Sequence, residues 1–100
     1  MPRLVVDFLP GAVEEGRAAR DYYLSKSERI EEEFRKELGH AIVLIAERPD
    51  TWPRYLHGTR RFILRRFPYA VVYRREPTAV LVVAIAHGSR KPGYWRRRTP

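Results

Sequence analysis

The stretch His87-Gly88-Ser89-Arg90-Lys91-Pro92-Gly93-Tyr94-Trp95 gathers side chains able to move protons or hold phosphate. An imidazole such as that of His87 can exchange a proton near neutral pH. Arg90 could bind a phosphate, or stabilise charge developing on one. Tyr94 and Trp95 offer flat faces on which an unpaired base could stack. Arg61 and Arg65 fall on one face of a neighbouring alternating segment and could complete a basic groove on an open, concave side of a sheet. Each residue also has a plain structural reading. A histidine at a strand end can bond a loop carbonyl, and Trp95, like Trp52, can pack into the fold. Arg96-Arg97-Arg98 reads as a solvated, mobile tail. His40 and His57 have no acidic or nucleophilic neighbour at a telling spacing and receive no role.

Those residue types permit RNA cleavage without a metal. A base would take the 2′-hydroxyl proton, a cation would stabilise the pentacoordinate phosphate, and an acid would protonate the leaving oxygen. His87, Arg90 or Arg65, and Tyr94 could fill these roles. A carboxylate base is missing from the basic half, where Glu76 stands alone in a turn. No P-loop, metal-ligand cluster or Ser-His-Asp order can be assembled, so neither a metal nor another cofactor is expected.

The chain has 100 residues, room for one domain, here placed at residues 1–95 with a basic tail at 96–100. Its 44% hydrophobic and 12% aromatic content is that of a folded protein. The absence of cysteine excludes a disulfide scaffold, a zinc finger and a thiol nucleophile. The longest apolar run, Ala79 to Ala86, is eight residues, against the ~20 of a membrane-spanning helix. Met1-Pro2-Arg3-Leu4 lacks the features of a secretory signal, and a cytoplasmic location is expected. Charge is segregated. Residues 1–50 carry 8 basic and 11 acidic side chains, a balance of −3; residues 51–100 carry 12 and 1, a balance of +11. All the cations of the second half except Lys91 are arginines, whose planar forks suit phosphate and carboxylate. Such a field points to a polyanionic partner, a nucleic acid or an acidic protein segment.

The elements that must position these groups follow from periodicity. Arg3 to Phe8 reads as a first strand, ended by Pro10-Gly11. Gly11 to about Leu24 reads as a helix with Val13, Gly16, Arg17, Arg20, Tyr23 and Leu24 on one side, Pro10 at its start and Glu14-Glu15 in its first turn. Ser25 and Glu28 match a capping box, with Ser27 as the other candidate cap. The second helix carries the stripe Ile30, Phe34, Leu38, Ala41, Ile42 and Ile45, and Pro49 stops it. A tight turn between two helices makes an antiparallel hairpin. Arg60–Phe67, Tyr69–Arg75 and Val80–Ala86 then read as strands whose short connections require an antiparallel meander. The last is apolar on both faces and should be central and covered. The expected architecture is α+β, in the order β-α-α-β-β-β, with the helical hairpin packed on a small antiparallel sheet.

Arg61-Phe62, Phe67-Pro68-Tyr69-Ala70-Val71-Val72-Tyr73 and Val82 through Trp95 together resemble the RelE/ParE toxin superfamily. The C-terminal His-x-x-Arg-x-Pro-x-Tyr-Trp pattern is similar to its plasmid-stabilisation, ParE-like branch. The strand, helical hairpin and Ile45-Ala46-Glu47-Arg48-Pro49 of the first half agree. This resemblance implies a toxin of a type II toxin–antitoxin module, encoded beside an antitoxin that wraps it. RelE-like members cut mRNA on the ribosome, and ParE-like members inhibit DNA gyrase. Carried onto this chain, His87, Arg90 and Tyr94 would be the catalytic groups of a nuclease, and Arg61 and Arg65 its phosphate-binding cations. The long helical hairpin, and the lack of both a lysine-rich set and a helix after Trp95, favour the gyrase branch. Arg61, Arg65, Arg90, Tyr94 and Trp95 would then contact the target or the antitoxin. The alternatives are a ribosome-dependent mRNA endonuclease and a non-enzymatic nucleic-acid-binding module. The antitoxin is expected as an acidic, partly apolar segment across the basic face of the sheet, with no membrane involved.

Overall fold

The computed structural model describes residues 3–98. In chain order the elements are β1 (Val5–Phe8), α1 (Pro10–Lys26), α2 (Glu28–Glu47), β2 (Arg60–Ile63), β3 (Tyr69–Arg75) and β4 (Ala79–His87). Short 3-10 turns lie at Leu56–Gly58 and Arg96–Arg98. The β-α-α-β-β-β order is the one periodicity implies, and the helical hairpin packs on one face of a four-stranded sheet ordered β1-β4-β3-β2. The sheet is mixed, not wholly antiparallel. β2–β3 and β3–β4 are antiparallel, whereas β1 runs parallel to β4, from Val5 opposite Ala79 to Phe8 opposite Val82. The helical crossover returns the chain to begin β2 in the direction of β1. Two antiparallel steps later, β4 shares that direction.

Both helices begin for local reasons. Pro10 opens α1, where its fixed φ is helical and its missing N–H costs nothing. Ser27 caps α2, its Oγ accepting from the N–H of Arg29 at 3.1 Å and of Ile30 at 3.4 Å. Ser25 instead lies in the last turn of α1 and donates its hydroxyl to the Tyr22 carbonyl at 2.6 Å, so the Ser25–Glu28 box does not form. The α2 stripe is buried at Phe34, Ala41 and Ile45 and packed at Leu38, while Ile30 stays exposed. On α1 the inward face differs from the expected one. Ala12, Ala19 and Tyr23 pack on the sheet, and Val13 and Leu24 face solvent. Small residues let this helix lie close over β4, which outweighs the larger apolar side chains one position away. Glu15 lies on that inward face beyond the first turn, and is no partner for the helix dipole.

The sheet has two covered faces. Toward the helices, Phe34 meets the rings of Tyr23, Phe67 and Tyr69 at 5.1 to 5.5 Å between centroids. Tyr73, fully buried, donates its hydroxyl to the Pro49 carbonyl at 2.6 Å. On the opposite face Trp95 packs with Val72, Val83 and Ala84. A bulge makes this possible: Val72 pairs with Ala84 and Tyr73 with Val82, leaving Val83 as the extra residue. Val82 and Ile85 therefore reach the helical side, Val83 and Ala84 the other. The expected open, concave face is thus closed by the C-terminal segment. Arg98 belongs to the fold and is no solvated tail; residues 99–100 lie outside the described residues.

Candidate functional site

The strand β1 is only four residues long, and its last bond to β4 is the Leu9 N–H to the Val82 carbonyl. Beyond that point the edge of β4 needs other partners. Glu15 supplies one, accepting the Ile85 N–H at 3.0 Å. Arg98 supplies the other, donating to the carbonyl of the bulged Val83 at 3.2 Å. The two side chains then bind each other as a bidentate pair, at 2.7 and 2.9 Å. Tyr94 donates its hydroxyl to Oε2 of the same carboxylate. Arg90 approaches it at 4.0 Å, with its guanidinium 3.8 Å from the Tyr94 ring centroid. Burial first, then the hydrogen bond to Glu15 and its charge, push the Tyr94 phenol up from its ordinary range. The bond to Glu15 likewise raises Arg98.

His87 ends β4 beside this cluster. Its Nδ1 accepts the Ser89 N–H at 3.0 Å and contacts the Ser89 hydroxyl at 2.8 Å, and its ring stands edge-on to Tyr69 at 5.0 Å. A cleft of about 590 Å³ opens here between α1 and the sheet, lined by Tyr22, Tyr23, Tyr69, Ile85, His87 and Arg90. A smaller cavity of about 90 Å³ on the other side of Arg90 reaches Arg61 and Lys91. Arg61 lies over the Tyr55 ring, 4.1 Å from its centroid.

Of the residues singled out by sequence, the structure brings His87, Arg90, Tyr94 and Arg61 into one neighbourhood. Arg65 is not among them. The strand β2 ends at Ile63, and the next bend is tied to α2, the backbone N–H groups of Arg65 and Arg66 donating to Glu37 Oε2 at 2.6 and 3.2 Å. Alternation past Ile63 therefore does not hold, and Arg65 does not share a groove with Arg61. Trp95 is 1% exposed and cannot contact a target or stack a base. The Tyr94 face is likewise occupied, by Arg90 at 3.8 Å and Arg98 at 5.3 Å. Sequence reasoning missed Glu15, the group that organises the cluster. Its one signal was its place among the small residues Ala12, Gly16 and Ala19. Among the described residues no three His, Asp or Glu side chains converge as metal ligands.

Comparison with known proteins fits this geometry. A family model described as the ParE toxin of a type II toxin–antitoxin system, parDE, matches residues 6–92. Among solved structures, a chain of the "Chromosomal ParDE TA system from P. aeruginosa" superimposes with a TM-score of 0.73. That likeness covers 85% of this chain and 96% of the other at 13% identity, and speaks to the fold alone. No curated protein matches. Among the described residues no helix is long and apolar enough to cross a membrane. Membership of a toxin–antitoxin family implies an antitoxin as partner. With the family model spanning residues 6–92, this chain belongs to the ParE toxin family of type II toxin–antitoxin systems.

Proposed function

We propose that the protein is a cytoplasmic toxin that arrests growth by binding and poisoning DNA gyrase, with no covalent chemistry of its own. The family supports this reading, and one observation carries it: the groups suited to proton transfer are already committed within the fold. Tyr94 gives its proton to a bond with Glu15, and its raised pKa makes it a poor acid. Glu15 is held by Arg98, Tyr94 and the Ile85 amide. His87 is left without a second acid or base, whereas RNA cleavage needs both. Arg61 and Arg90 with the aromatic cleft beside them form the contact surface. An acidic antitoxin segment laid over those cations would silence it.

The test is a supercoiling assay with purified gyrase and relaxed plasmid, run beside a ribosome-programmed mRNA assay. The expected result is blocked supercoiling with accumulation of cleaved DNA, and intact mRNA. Cleaved mRNA with normal supercoiling would overturn the proposal. Charge reversal at both positions, R61E/R90E, should abolish the gyrase effect and weaken antitoxin binding.

A further inference from the structure

Five of the twelve cations in the basic half are paired with carboxylates, and three of the others converge on one cleft. Arg60, Arg66, Arg75, Arg90 and Arg98 each lie within 4.0 Å of a carboxylate. Lys91, Arg96 and Arg97 have no such partner among the described residues. They surround one cleft of about 310 Å³ together with His57, Pro92 and Gly93, and no carboxylate of the described residues lines it.

The cleft is built by anchored backbone. Trp95 is buried on one side of the Arg96–Arg98 turn and Arg98 is pinned to Glu15 on the other, so Arg96 and Arg97 are held between two fixed points, both exposed. Across the cleft, His57 adopts a left-handed backbone at φ 58°, unusual for a residue with a Cβ. Its ring stands edge-on to Trp95 at 5.7 Å. Gly93, at φ 79°, lets the two segments meet, since a Cβ there would stand 3.2 Å from His57 Nε2. Three cations and an imidazole thus converge with no counter-charge among the described residues, an arrangement suited to phosphate.

We infer that this cleft is a contact for the phosphate backbone of duplex DNA. Single-stranded nucleic acid is bound by stacking its bases on open aromatic faces. Here the tyrosine and tryptophan rings beside the cleft are taken, Trp95 by the core, Tyr94 by Arg90 and Arg98, and Tyr55 by Arg61, and the His57 ring stands edge-on to Trp95. What is left is charge and one imidazole, with no tyrosine or tryptophan platform, which fits the outside of a duplex. The site does not depend on the target being gyrase. If it is, the toxin would touch the enzyme's DNA as well as its protein surface.

Fluorescence anisotropy with a labelled 20-base-pair duplex, measured from 50 to 200 mM salt, tests this. Three proteins are compared: wild type, the cleft variant K91A/R96A/R97A, and K26A/R48A/R54A, which removes as much charge from elsewhere. Each lost phosphate contact lowers the salt slope by about 0.9, so wild-type affinity should fall about 40-fold more steeply than that of the cleft variant over this range. The second triple variant should keep the wild-type slope. Circular dichroism on each confirms folding. Equal losses in both triples, no salt-sensitive binding by wild type, or tighter binding to a single RNA strand of the same length would each overturn the inference. Duplex binding without gyrase inhibition would uphold it while removing the gyrase reading.

Discussion

The two faces of the sheet are held by different physics. The helical face is covered by two long helices and a cluster of aromatic and branched side chains around Phe34, Val71, Val82 and Ile85. The opposite face is covered by a few residues around a single anchor, Trp95, and tied to the rest by the Glu15 carboxylate. Burial spread over many side chains is shared and cooperative. Burial through one ring and one ion cluster is local, and can open without the rest. The groups proposed for binding lie on or beside the second arrangement.

The largest effects should come from the anchors themselves. Phe34→Ala and Trp95→Ala each remove a fully buried ring and should cost about 3–5 kcal/mol in urea unfolding. Hydrogen exchange should separate them. Phe34→Ala is expected to lower protection throughout, because it empties the shared core. Trp95→Ala is expected to raise exchange mainly at the Ile85 amide and in residues 92–98, with the helices much less affected. Uniform loss of protection in Trp95→Ala would show that the two faces form one cooperative unit.

The same contrast explains what could be read from the sequence. Elements held by periodic burial were legible: the α2 stripe from Phe34 to Ile45, the strands Tyr69–Arg75 and Ala79–His87, and the hairpin between the helices. The motif from His87 to Trp95 likewise marked the right neighbourhood. What escaped depended on where another element stops. Glu15 matters because β1 ends at Phe8 and leaves the Ile85 amide bare, and its partners are 70 to 83 residues away in sequence. Arg98 looked like a tail because no local pattern distinguishes a pinned arginine from a solvated one. Arg65 was misplaced because alternation continues past Ile63 in sequence, while the chain turns toward Glu37.

The Glu15 cluster gives the intermediate effect. Side-chain exposures of 15% for Glu15 and 26% for Arg98 put the pair at the edge of burial, where removing one partner costs less than in a dry core. Glu15→Ala strips the acceptor from the Ile85 amide, the Tyr94 hydroxyl and Arg98 at once, and should cost about 2–3 kcal/mol. Arg98→Ala should cost about 1–2 kcal/mol. In the double variant the losses should not add, because both side chains belong to one network. A neutral Arg98→Ala would return that residue to the status of a solvated tail.

The smallest effect sharpens the comparison by pH. Each face carries one tyrosine whose hydroxyl is bonded inside the protein: Tyr73 to the Pro49 carbonyl and Tyr94 to Glu15. Burial raises both phenols, and for Tyr94 the neighbouring carboxylate adds to it. A phenol raised in the folded state keeps its proton while the unfolded chain has already lost it. Stability tied to that hydroxyl is therefore fully present below about pH 10 and declines as pH rises toward the folded value. At pH 8, Tyr94→Phe should be less stable than wild type by about 1 kcal/mol, the net worth of one hydrogen bond. The difference should shift by up to about 1.4 kcal/mol in favour of the variant at pH 11, enough to close the gap, because only the wild type gains a tyrosinate on unfolding. Other titrations cancel in the difference between the two proteins. Urea midpoints measured at pH 8, 10 and 11 read it directly. A gap unchanged across that range would mean that the Tyr94 hydroxyl is not held by Glu15 in solution, and that the cover over the second face rests on Trp95 and the Arg98–Glu15 pair.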